Sequence, residues 1–98
     1  MEIKTNRNGE ELVLDIIGRL DTTTSPELES ALQSSLDGVT KLILDFKELE
    51  YISSAGLRVL LATQKTMNKQ GEMIVKNSSE DVKEVFEITG FSDILTLE

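Results

Sequence analysis

No stretch constrains the fold of this chain more than Lys41-Leu42-Ile43-Leu44-Asp45-Phe46, a nearly continuous apolar run. A strand of that kind is covered on both faces or flanked by parallel neighbours, so it is expected at the centre of a sheet. Around it, strand-like and helix-like segments alternate. Ile3 to Thr5 and Leu12 to Ile17 read as two strands joined by a tight hairpin, because Asn8-Gly9 suits positive backbone φ angles. Within the second strand Leu12, Leu14 and Ile16 point one way and Val13, Asp15 and Ile17 the other, which puts Asp15 at an exposed edge or face.

Three helices are expected. The first starts in Arg19-Leu20-Asp21-Thr22-Thr23-Thr24-Ser25-Pro26, with Ser25 as N-cap, Pro26 at the first helical position and Leu28, Ala31 and Leu32 on the buried stripe; Asp37-Gly38 ends it. Lys47 to Ile52 reads as a loop. A long helix then runs from about Ser54 to Gln70, with Leu57, Leu60, Leu61 and Met67 on or near one side, and stops at Gly71. Glu72 to Lys76 is a strand, Ser78 and Ser79 offer caps for a third helix ending at Gly90, Phe91 folds back as a hydrophobic contact, and Ile94 to Leu97 closes the chain as a short strand. The order is ββαβαβαβ. It implies an α/β fold over residues 1–98 as one small domain, with right-handed crossovers and a mixed, mostly parallel sheet of about five strands.

Composition narrows the chemistry. Eighteen acidic residues against ten basic ones give a net charge of −8, which disfavours nucleic acid and anionic membrane surfaces as partners. There is no Cys and no His, so thiol nucleophiles, disulfides, the usual zinc ligands and the usual neutral-pH base are all missing. No two of the six glycines have the spacing of a dinucleotide fingerprint or a P-loop. No cofactor is expected, and no catalysis. Asp45 reads as a capping or loop-bonding carboxylate, and Asp15 and Asp45, on different strands without an evident partner, give little support to a metal site. The N-terminus has no apolar leader, so a cytoplasmic location is expected.

Ser53-Ser54-Ala55-Gly56-Leu57 stands apart. A serine followed by two very small residues at a strand-to-helix junction places a hydroxyl at a helix N-terminus, open to close approach by another protein; alone, Ser54 also reads as a plain N-cap. From Tyr51 to Gly71 no residue is acidic, while Arg58, Lys65 and Lys69 are basic. Arg58 lies one helical turn beyond Ser54, in reach of a phosphate there; Lys65 and Lys69 read as a solvated face.

Tyr51-Ile52-Ser53-Ser54-Ala55-Gly56-Leu57, together with Gly18-Arg19-Leu20-Asp21 after the second strand, resembles the two characteristic turns of STAS domains, specifically the bacterial anti-sigma factor antagonists. The resemblance implies that Ser54, or Ser53 in the alternative register, is phosphorylated by a partner that is both anti-sigma factor and serine kinase, with Mg-ATP held by that kinase. The unmodified antagonist binds the kinase and frees the sigma factor, phosphorylation releases it, and a serine phosphatase resets it. Partner contacts are then expected on Asp21, Thr22, Thr23, Ser53, Ala55, Gly56 and Arg58, with Asp21 also able to cap its own turn; separately, nothing in the sequence suggests an obligate interface, so a monomer is expected. Family members commonly carry Asp where this chain has Ser53, and many continue into a further helix beyond the position of Leu97. A STAS-like structural subunit of a transporter or sensor complex is the other reading of the same resemblance.

Overall fold

The computed structural model describes residues 1–98. Its elements in chain order are β1 (Glu2–Asn8), β2 (Glu11–Leu20), α1 (Ser25–Ser35), β3 (Lys41–Asp45), β4 (Leu49–Ile52), α2 (Ser54–Gln70), β5 (Glu72–Lys76), α3 (Glu80–Thr89), a 3-10 turn at Phe91–Asp93, and β6 (Thr96–Leu97). The sheet runs β1-β2-β3-β5-β6, with β1 antiparallel to β2 and the other pairs parallel. The apolar run Lys41–Asp45 does sit at the centre, flanked by the parallel strands β2 and β5.

Four strands depart from the sequence reading: β2 runs on past Ile17 to Leu20, the closing strand is only Thr96–Leu97 because the Ile94 and Leu95 N–H groups donate back to the Phe91 carbonyl, β1 is longer and β4 is new. β1 continues through Asn6, Arg7 and Asn8, exposed residues with no apolar signal, because an edge strand is held by its backbone ladder to β2. The hairpin turns at Gly9, whose φ of +66° supplies the left-handed conformation, while Asn8 stays in the strand opposite Glu11. The segment expected as a loop at Lys47 to Ile52 contains β4, which pairs in parallel with the far end of β2 at Gly18–Leu20 and makes the order ββαββαβαβ. β4 hides in the sequence because its buried residues, Leu49 and Ile52, are three apart rather than two.

Helix boundaries follow from caps and glycines. In α1 the N-cap is Thr24, one residue before the expected Ser25, and Ser25 is instead buried with its hydroxyl donating to the Asp21 carbonyl. Ser79 caps α3 by accepting from the Val82 N–H at 3.2 Å, and Gly90 ends that helix in the left-handed region at φ +80°. The C-terminal end of α1, which has no basic residue in its last turn, is held by the Arg7 guanidinium, donating to the carbonyls of Ser35 and Asp37 at 3.4 and 3.1 Å.

One apolar cluster joins the inner face of the sheet to the helices: Leu12, Leu14, Leu42, Leu44 and Phe46 pack with Leu28, Leu60, Met67 and Phe86. All three helices contribute to it. Phe46 and Phe86 stack with ring centroids 6.5 Å apart, which ties α3 to the end of the central strand.

Candidate functional site

β2 and β4 leave the sheet side by side, since Leu20 and Ile52 are register partners and the Ser53 N–H donates to the Leu20 carbonyl at 2.9 Å. Asp21 and Ser53 therefore begin adjacent loops. Ser53 has an extended backbone and its Oγ accepts from the Gly56 N–H at 3.4 Å, while its carbonyl accepts from the Leu57 N–H at 2.9 Å. The helix cap is thus Ser53, correcting the reading of Ser54 as the cap. Ser54 is the first residue of α2, and it is exposed.

Gly56 explains how that turn is fixed. A Cβ there would lie 2.8 Å from Leu20 Cγ and 2.9 Å from Ile52 Cγ1, so the glycine lets the first turn of α2 rest directly on the ends of β2 and β4. Leu57, 7% exposed, enters the core beside Leu60. With Gly56 and Leu57 facing inward, Ser54 and Arg58, one turn apart, face solvent. Thr22, Ser25, Ala55 and Arg58 line one open depression at this tip. Lys65 and Lys69 are exposed further along α2, as expected of a solvated face.

Asp21 is largely committed to its own loop. Its Oδ1 accepts from the Thr23 and Thr24 N–H groups, both at 3.0 Å, and its own N–H donates to Thr24 Oγ1 at 2.9 Å. The Thr24 backbone N–H is the main cause that holds the Asp21 carboxyl below its ordinary value of 3.8, with the Thr24 hydroxyl, the Thr23 N–H and Arg19 adding to it against a partial loss of hydration. A carboxyl depressed in the folded state stabilises the fold above its unfolded value, and that contribution disappears as pH falls through the folded value. The stability gap between the wild-type chain and Asp21→Asn, measured by urea unfolding, should accordingly be present at neutral pH and close below 3.8. A gap unchanged in acid would show that Asp21 does not act through its charge.

The sequence reading missed the pairing of Arg19 with Tyr51. These residues are register partners on β2 and β4, and the guanidinium lies 4.2 Å from the ring centroid with both side chains exposed at the rim beside Asp21. The Arg19 Nε is 3.9 Å from Asp21 Oδ2, a long surface pair. Only the parallel pairing of β4 with β2 brings the two together, and β4 has no periodic signal of its own in the sequence.

No group of three or more carboxylates in the structure converges as a metal-ion site, and no helix is long and apolar enough to cross a membrane. BtrV of Bordetella bronchiseptica is 39% identical over 85 residues, covering 85% of this chain and 73% of the relative. The anti-sigma-B factor antagonist of Bacillus subtilis is 31% identical over 98 residues, covering 99% of this chain and 88% of the relative. The Bacillus cell fate determinant SpoIIAA, solved in its phosphorylated form, shares the fold with a TM-score of 0.77 at 20% identity, over 99% of this chain and 91% of that one. The family model described as the STAS domain matches residues 2–98, a span that includes both turns meeting at the end of β2 and β4, and the chain belongs to the STAS domain family.

Proposed function

We propose that this chain is an anti-sigma factor antagonist whose partner binding is switched by phosphorylation of Ser54. In its unmodified form it binds an anti-sigma factor that is also a serine kinase, and the sigma factor is released. The kinase transfers the γ-phosphoryl group of its Mg-ATP to Ser54 Oγ, whose proton leaves to a base of the kinase, and the modified chain lets go. A serine phosphatase then hydrolyses the ester and resets the cycle. Residues 1–98 act as one cytoplasmic, monomeric and non-catalytic domain, and the docking surface comprises Asp21, Thr22, Thr23, Ser53, Ala55 and Arg58; Gly56, expected there from the sequence, is buried against Leu20 and Ile52 and shapes the turn instead of meeting the partner.

The observation that carries this reading is the exposed hydroxyl of Ser54 at the first position of α2, in a turn whose cap is supplied by Ser53. A relative named as an anti-sigma-B factor antagonist aligns over nearly the whole chain, and the SpoIIAA fold exists in a phosphorylated form. The choice of Ser54 over Ser53 follows from their surroundings: the Ser53 oxygen is half-buried and engaged with the Gly56 N–H, whereas Ser54 points outward.

Incubation with the cognate kinase and Mg-ATP should add a single phosphate, read by intact mass. Ser54→Ala should abolish it and Ser53→Ala should retain it. A phosphate that persists in Ser54→Ala and disappears in Ser53→Ala would move the acceptor by one residue.

A further inference from the structure

The topology leaves one face of the sheet bare. Each crossover from β2 to β3, β3 to β5 and β5 to β6 steps in the same direction, so right-handed connections place α1, α2 and α3 on the same side. Sheets with parallel central strands are ordinarily covered on both faces. Here the core cluster takes the inner face, and Ile74, 8% exposed on the outer face, is the one buried apolar residue that lies outside that cluster. Val13, Ile43 and Ile74 form a row across β2, β3 and β5.

The neighbouring row on this face, two residues along the strands, is Lys4, Asp15, Asp45 and Lys76. Asp15 and Asp45 stand directly opposite each other, an unfavourable arrangement unless a cation comes between them. Lys4 and Lys76 flank them in register, but none of the four forms an ion pair within 4.0 Å. Asp45 Oδ1 accepts from the Lys47 N–H at 3.0 Å and from Asn77 Nδ2 at 3.1 Å, which leaves Oδ2 available. A depression of about 170 Å³ opens here, lined by Lys4, Asp15, Ile17, Asp45, Lys47 and Glu48.

We propose that this bare face is a docking surface for a basic amphipathic helix of a partner protein. Its apolar residues cover the row Val13, Ile43 and Ile74, and an arginine or lysine one turn away sits between Asp15 and Asp45. The spacing fits, because two residues along a strand advance about 6.6 Å and four residues along a helix about 6 Å. Such a helix lies roughly along the strands. The net charge of −8 favours the approach of a basic segment. The surface shares no residue with the Ser54 site and the proposal stands independently of it.

The test is a titration of the isotope-labelled full chain with a blocked synthetic peptide of about 18 residues, long enough to hold a helix, carrying Leu and Arg one turn apart. A control peptide has Glu in place of Arg. With the basic peptide, amide shifts should be confined to β2, β3 and β5 around Val13, Asp15, Ile43, Asp45 and Ile74, and should saturate. The double variant Asp15→Asn, Asp45→Asn, which relieves a repulsion and so keeps the fold, should weaken binding about tenfold or more. Absence of shifts on this face, shifts confined to α1 and α2, or equal binding of the Glu peptide would overturn the proposal. So would a concentration-dependent dimer in sedimentation that Ile43→Lys abolishes, since a second copy would then be the occupant.

Discussion

Phosphorylated at Ser54, the chain should bind its anti-sigma kinase two to three orders of magnitude more weakly than the unmodified form, a loss of about 3–4 kcal/mol. Ser54→Asp should reproduce part of that loss and Ser54→Ala almost none. The phosphate adds about 1.5 to 2 negative charges at pH 7, taking a chain of net charge −8 to roughly −10, with the whole change at one point. Within the domain that charge is tolerated: an anion at a helix N-terminus is stabilised by about 0.3–1 kcal/mol, and Arg58 stands one turn away. Against a partner surface shaped for a neutral hydroxyl the sign reverses, because the dianion must be stripped of water or forced against the contact. Calorimetric titration of the unmodified, phosphorylated and two variant chains into the same kinase measures the difference. Equal affinity of the phosphorylated and unmodified chains would refute the switch even if Ser54 is the acceptor.

Gly71→Ala should be the most damaging single-methyl change in the protein, costing about 3 kcal/mol and lowering the melting midpoint by roughly 12–24 °C. Gly71 follows α2 with an extended φ of 171°, so the reason is not backbone strain but space. An added Cβ would fall on the Thr40 carbonyl oxygen and 2.5 Å from Thr40 C. That same oxygen accepts from the Glu72 N–H at 2.9 Å, the contact that starts β5 beside β3. Backbone cannot rotate aside as a side chain does, so either the end of α2 or the start of the central sheet must shift. Gly9→Ala is the matched control. Nothing lies within 4 Å of its added Cβ, and only the left-handed φ of +66° opposes it, a cost of about 1 kcal/mol. Urea unfolding of both variants makes the comparison, and a Gly71→Ala chain no less stable than Gly9→Ala would contradict the packing account.

Much of this architecture is legible in the residues themselves because its signals are local. Gly71 and Gly90 end their helices, Ser79 starts one, and the strict alternation of Leu12, Leu14 and Ile16 with Val13, Asp15 and Ile17 marks the inner face of β2. What the sequence hides depends on pairing at a distance. β4 exists because Leu49 to Ile52 find Gly18 to Leu20, 31 to 32 residues earlier, and no period within four residues announces it. That pairing also decides between two adjacent serines with the same capping chemistry: with Ile52 held beside Leu20 and the Ser53 N–H bonded to the Leu20 carbonyl, Ser53 is the residue left to cap α2. The run at Lys41 to Phe46 was compatible with a strand covered on both sides or one flanked by parallel neighbours, and only the second applies. An isoleucine on an open face reads like one on a covered face, so the bare side of the sheet has no signature in composition.

The division of labour between the two serines has a consequence for how long a mark at this position lasts. Ser53 already satisfies the Gly56 N–H, so a group added at Ser54 leaves the cap of α2 in place. With an anion at the helix N-terminus favoured by about 0.3–1 kcal/mol, a phosphorylated chain opens to proteases no more often than the unmodified one. On the proposed reading, degradation does not clear the modified chain preferentially, and the persistence of the message is left to the enzymes that would write and erase it.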